Sequence, residues 1–325
     1  MRQNAPSLVI VVLTLAMALG LQLVQASTNA FEIYERYGNY GGPNFDTGAT
    51  EYPRVIDDSE GYALKLTRPV RTVASQYWSI DEYVYSILPP ESIVAVSQAA
   101  YDRSFSNVFQ WAEMLRPAIA TDPEVILKLN PDLLLVSSDA RADFTELLRA
   151  VGTPIFRTYT SFTNLDDVRR TIRLMGYLTG ADADAARVDR EFGEAIVRAR
   201  NRKPPNASAP RILGYSGGFS YGDQTLFDDV VRTLGGVNLG AEHGLHSYAP
   251  LNTEQILRWD PEWIISGAAR GQSETALRRL LADPAIAPTT AARRGQIVVL
   301  ENNVFLPMSP YTTLILDALG DVLYP

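Results

Sequence analysis

Cysteine is absent from the 325 residues, and histidine occurs only as His243 and His246. Without cysteine there is no disulfide, no thiolate metal site and no acylated cysteine after a leader. The two histidines share the segment EHGLHSY with Glu242. A transition-metal site between two lobes draws three or four His, Asp or Glu ligands from both sides, and no histidine precedes His243, so no bare-metal site is assigned. Positive charge is in deficit: 29 Lys and Arg against 37 Asp and Glu give −8, which argues against nucleic acid or an anionic membrane surface as partner. Catalytic signatures are missing too. There is no G-x-S-x-G elbow, no G-x-G-x-x-G after a strand and no Walker loop. An exported enzyme, or a sensory or structural domain, remains the alternative class, with no motif of its own.

Long apolar runs are also scarce. The longest, residues 8–21, falls short of the roughly 20 residues a spanning helix needs. It follows Arg2 and leads to Val24-Gln25-Ala26, which reads as a cleaved secretion signal over residues 1–26. Losing Arg2 takes the formal charge from −8 to −9. Residues 27–50, rich in Gly, Asn and Tyr, carry no period and read as an extension; residues 52–68 hold two short runs around Asp58-Ser59-Glu60-Gly61, a hairpin signal.

From residue 71 short β-branched runs alternate with amphipathic ones. Strands are expected at 71–75, 92–97, 132–137 and 153–159, with helices at 78–88, 122–129 and 142–151. This grammar implies a parallel sheet covered on both faces. It resumes at 211–216, 225–235, 262–266, 274–282, 296–301 and 311–323. The fold class is therefore α/β, with two parallel-sheet lobes over 71–162 and 204–325. Between them, 163–203 reads as two helices broken at Gly180, the second running from Asp182 to Arg200. Nineteen helical residues span roughly 28 Å, a stiff tether between lobes.

One segment is written twice. TDPEVILKLNPDLLLVS (121–137) and LNTEQILRWDPEWIIS (251–266) align at a constant offset of 130, Glu124 on Glu254, Ile126 on Ile256, Pro131 on Pro261. Local chemistry offers one account: Thr121-x-x-Glu124 is a capping box and Asn252 caps the second copy. These residues also carry a resemblance. YPRVIDDSEGYALKLTRPVRTVAS, SIVAVS, PEVILKLNPDLLLVSS, RILGYSGG, GDQTLFDDVVRTLGGVNL and TEQILRWDPEWII, spread over residues 52–324, resemble the periplasmic binding proteins of cobalamin and iron-chelate ABC importers. The resemblance implies a ligand cleft between two lobes joined by a rigid helix. It implies a monomer that delivers an iron-siderophore or cobalamin to a permease dimer with its ATPase. It also places Glu124 and Glu254 at the positions that dock on the permease.

Ligand sites of open α/β lobes lie beyond the carboxyl ends of strands. The loops there supply Tyr77, Trp78, Tyr101, Arg103, Phe105, Arg141, Tyr159 and, from the second lobe, Phe219, Tyr221, His246, Tyr248, Arg270 and Phe305. Flat apolar walls suit a corrin, a porphyrin or an aromatic chelate. The arginines would suit an anionic chelate or be solvated surface charges. Haem is the alternative within the same family, with Tyr101 at the position of its axial tyrosine. The expected role is ligand capture, with no cofactor beyond the bound chelate.

Overall fold

The computed structural model describes residues 51–325; the expected leader and extension lie outside the described residues. The foreseen hairpin is present: β1 (Arg54–Asp57) and β2 (Ala63–Leu66) pair antiparallel. Its turn closes on the Asp58 carboxylate, which accepts from the Glu60 and Tyr62 amides at 2.9 Å each. Ion pairs pin it at both ends. Arg54, 3% exposed, donates to Asp182 at 2.7 Å, and Asp58 and Glu60 meet Arg149 and Arg157.

The first sheet contains β3 (Val73–Ser75), β4 (Ile93–Val96), β5 (Ala118–Ile119), β6 (Leu133–Ser137) and β7 (Ile155–Thr158), all parallel, in the order β5-β4-β3-β6-β7. Its helices are α1 (Trp78–Ile87), α2 (Phe109–Leu115), α3 (Pro123–Leu129) and α4 (Ala142–Ala150). Strand order reverses between β3 and β6, so the loops leaving their carboxyl ends part and open a crevice. β6 is buried at every position, as a central parallel strand covered on both faces must be. Leu133 and Leu135 face the helices between the sheets, whereas Leu134 and Val136 face an outer cluster with Ile126 and Leu148.

Two helices follow, α5 (Leu165–Thr179) and α6 (Asp182–Arg200). Asn164 caps α5 by accepting from the Asp167 amide at 2.9 Å, and Gly180 ends it at φ 81°. A Cβ at Gly180 would meet the Tyr52 hydroxyl at 2.6 Å, so the bend needs glycine for room as well as for conformation.

The second sheet is built from β8 (Arg211–Ser216), β9 (Phe219–Tyr221), β10 (Val237–Asn238), β11 (Tyr248–Pro250), β12 (Trp263–Ala268) and β13 (Ile297–Glu301). Its helices are α7 (Leu226–Thr233), α8 (Leu239–Glu242), α9 (Thr253–Trp259), α10 (Ser273–Ala282), α11 (Thr290–Arg293), α12 (Asn302–Phe305) and α13 (Thr313–Leu323). β10, β8, β12 and β13 run parallel. The expected all-parallel sheet is corrected at one place: β9 folds back on β8, and β11 pairs antiparallel with β9. Gly217 and Gly218, at φ 58° and 89°, supply the two positive φ angles of a two-residue type I′ hairpin. Strands of three residues carry too little alternation to be read from sequence.

The largest apolar cluster is continuous from the first sheet to the second. Leu133 and Phe156, Ile172 and Met175 of α5, Phe192 of α6, Phe227 and Leu316 all belong to it. The interface between the lobes is thus a hydrophobic core, and the long helices are packed into it.

Candidate ligand-binding cleft

At the crevice of the first sheet, Tyr77 precedes α1 and Trp78 opens it. The Trp78 ring lies 5.9 Å from Tyr77 and meets Phe105 edge-on at 5.9 Å and 78°. Burial pushes the Tyr77 hydroxyl up; the Trp78 contact opposes this and the Asp139 carboxylate, on the loop after β6, adds to it. Opposite stands a second aromatic group. Tyr221 is its centre, 5.1 Å from Phe227, 5.1 Å from Tyr248 at 72°, and 5.5 Å from Phe305 at 88°. Desolvation, and then the Tyr77 hydroxyl, raise Tyr248 to about 12. The tyrosines of the two lobes therefore lie within electrostatic reach of each other across the groove. Tyr221, Phe227, Tyr248 and Phe305 also line a small apolar recess of about 30 Å³, room for little more than a water-sized body.

The remaining candidates divide. Tyr159 directly follows β7, partly buried, and Phe219 lies on β9 opposite Pro250. Tyr101 directs its hydroxyl to the Pro117 carbonyl, and burial, followed by Asp81, raises its pKa. Arg103 pairs with Glu113 at 2.5 Å and Arg141 with Asp143 at 2.5 Å, both on exposed surface. Arg270 crosses to the first lobe: its amide donates to the Ser104 carbonyl at 2.9 Å and its guanidinium to that of Ser106 at 3.3 Å. His246 meets Asp223 at 2.6 Å, while His243 stacks on Trp259 at 4.4 Å and 11°. Among the described residues no group of three or more His, Asp and Glu could hold a metal ion.

Sequence reasoning missed a polar seam under the groove. Glu82 on α1 accepts from Asn107 at 2.8 Å and from Ser309 at 2.5 Å, and Asn107 also donates to the Asn303 carbonyl at 2.8 Å. Partners separated by 227 residues leave no local pattern.

The repeated segments fold alike. α3 and α9 each run seven residues and stop at a left-handed cap, Asn130 at φ 46° and Asp260 at φ 41°. Ile126 and Ile256 are buried, as are Pro131 and Pro261. Asp132 accepts from the Arg71 amide at 2.8 Å and Glu262 from the Arg211 amide at 3.0 Å, so each acid ties its copy to the central strand of its sheet. The capping expectation at Thr121 is corrected. Pro123 sets the helix start, Asp122 is the cap, and its carboxylate accepts from the Glu124 amide at 2.9 Å. Asn252 caps the second copy as foreseen, and Gln255 completes its capping box. Both Glu124 and Glu254 thus sit at the second helical position, exposed, one residue short of where a capping box reaches back.

Comparison with known proteins agrees with this architecture. A profile of the periplasmic binding protein family matches residues 73–304. A cobalamin-binding protein of Halobacterium salinarum is 25% identical over 259 residues, 78% of this chain and 70% of that one. Among solved structures, a periplasmic haem-binding protein of Roseiflexus sp. RS-1 superposes with a TM-score of 0.66 at 24% identity, over 78% of this chain and 98% of that one. An Fe3+-hydroxamate transport protein of Saccharomonospora viridis gives 0.66 at 17%, over 85% and 100%. At such identities the superpositions bear on the fold alone. Among the described residues no helix is long and apolar enough to cross a membrane. The chain belongs to the periplasmic binding protein family, whose members are solute-binding proteins of ABC importers rather than enzymes.

Proposed function

We propose that this protein captures a corrinoid such as cobalamin and delivers it to an ABC permease with its ATPase. In this reading residues 1–26 are removed on export to the periplasm, and lobes 71–162 and 204–325, held by 163–203, work as a monomer. The observation that carries it is the contrast between the rings and the charges. Tyr77, Trp78, Phe105, Tyr159, Phe219 and Tyr248, backed by the buried Tyr221 and Phe305, offer flat faces with hydroxyl groups. Arg103 and Arg141 are spent on neighbouring carboxylates, and Arg270 on the opposite lobe. Anionic ligands such as haem with its propionates, citrate chelates or catecholates want free guanidinium groups; a corrin edged with amides does not. The 25% identical relative named as cobalamin-binding supports the same choice. Tyr101, its hydroxyl turned to Pro117, is poorly placed as an axial haem ligand. A hydroxamate iron chelate, also without carboxylates, is the second reading.

Delivery is assigned to Glu124 and Glu254. The repeat's buried isoleucines, prolines and strand-tying acids have structural work in both copies. The two glutamates, with Leu127 and Leu257 at 43% and 41% exposure, have none, and carry no ion pair among the described residues. Two equal patches suit a partner with two equal halves. Calorimetric titration with cyanocobalamin, ferrichrome, haemin and ferric citrate tests the ligand. Submicromolar binding of cyanocobalamin and none of ferric citrate is expected; preference for haemin or ferric citrate would overturn the reading.

A further inference from the structure

Phe105 sits between two carbonyls that are both held by one residue of the other lobe. The Arg270 amide donates to Ser104 at 2.9 Å, and its guanidinium donates to Ser106 at 3.3 Å while lying 4.8 Å over the Phe109 ring. The side chain so flanked is the one that meets Trp78 edge-on. Arg270 is itself braced from its own lobe. The Glu301 carboxylate accepts from the Gly271 amide at 2.7 Å and faces the Arg270 Nε at 3.7 Å, and Gly271 takes the turn at φ 75°. Glu301 ends β13 and precedes α12, the helix that carries Phe305. A chain of direct contacts therefore runs from the Phe305 helix through Glu301, Arg270 and the two serine carbonyls to Phe105 and Trp78.

We propose that Arg270 acts on the ligand at one remove, as a positioning residue that holds Phe105 against Trp78 from the opposite lobe, so that the first lobe's aromatic wall is complete only while the lobes are together. This rests on reading the groove as the ligand site. Hydrogen bonds at 2.9 and 3.3 Å are lost when donor and acceptor part by about an ångström. A partner that spreads the lobes by that much frees Phe105 and dismantles the wall, which makes ligand release a consequence of docking. The nearby Asn107 contact to Asn303 would open in the same movement.

The test uses the full mature protein and two readouts. In ligand-free protein, Arg270→Ala is expected to speed hydrogen exchange at residues 104–109 several-fold, with the melting temperature nearly unchanged. Arg270→Lys, which keeps the cation and one donor direction, should restore most of the protection, and Arg187→Ala, on the exposed face of α6, should do nothing. With cyanocobalamin as probe, Arg270→Ala should raise the dissociation rate about tenfold, the order expected for a lost charged hydrogen bond. Combining it with Phe105→Ala should add little to either single change. Unchanged exchange at 104–109, or additive effects of the two substitutions, overturns the proposal. Failure of the unaltered protein to bind cyanocobalamin overturns the corrinoid reading instead, and the exchange readout still decides the role of Arg270.

Discussion

Asp81 and Glu82 stand side by side on α1 at 0% and 2% exposure, and no cation among the described residues faces either. Asp81 receives the Ser97 amide at 3.2 Å and the Ser97 hydroxyl at 2.5 Å; Glu82 receives Asn107 and Ser309. The other groups near them are tyrosines: Tyr83 on the same helix, Tyr311 from the turn before α13, and Tyr85 and Tyr101 toward Asp81. Burial raises both carboxyls to about 7. The folded pKa thus lies above the unfolded one, so the protonated forms favour folding. Their contribution is fully present below about pH 4 and is lost as pH rises through about 7. The melting temperature is expected to fall between about pH 4 and pH 7 and to level off above that, and Glu82→Gln should flatten that slope; parallel pH profiles for the two proteins would contradict it. At this scale the sequence was legible where a residue speaks for itself, as the loop aromatics do. It was not legible where the partner decides the role. Arg103, Arg141 and Arg270 look alike in a sequence, and only folding showed two of them paired on the surface and the third reaching across the lobes.

Many of the longer helices and strands were readable because burial on a face leaves a period, whereas α2, α8, α11 and α12 were not foreseen. α6 runs from Asp182 to Arg200, as its pattern and the following Pro204-Pro205 imply. The two-residue β5 and β10 and the β9–β11 flap were not, since pairing alone defines them. The repeated helices show a subtler limit. Thr121 and Asp122 are both good caps, and Pro123 at the first helical position chose the second. That choice separates two roles by experiment. Asp122→Ala and Asn252→Ala should each cost about 1 kcal/mol in chemical unfolding. Glu124→Gln and Glu254→Gln, which remove only an acid near a helix start, should each cost about 0.5 kcal/mol. Glutamate variants as destabilising as the cap variants would return these residues to a purely structural role.

As a whole molecule the chain is two α/β lobes sharing one continuous core, with a groove faced by aromatics from both. The two-lobed plan could be read from the alternation of strand and helix and from the repeat at an offset of 130. The seam of Glu82, Ser309, Asn107, Asn303 and Arg270 could not, because contacts across such sequence distances exist only once both lobes are built. The proposed capture in the groove and the proposed delivery on the two exposed glutamates are expected to be separable. Uptake of labelled cyanocobalamin into vesicles carrying the cognate permease and ATPase tests this, comparing the unaltered protein with Glu124→Gln combined with Glu254→Gln. The double variant is expected to bind cyanocobalamin with unchanged affinity and to support little uptake; uptake at the unaltered rate, or loss of binding along with uptake, would contradict the account.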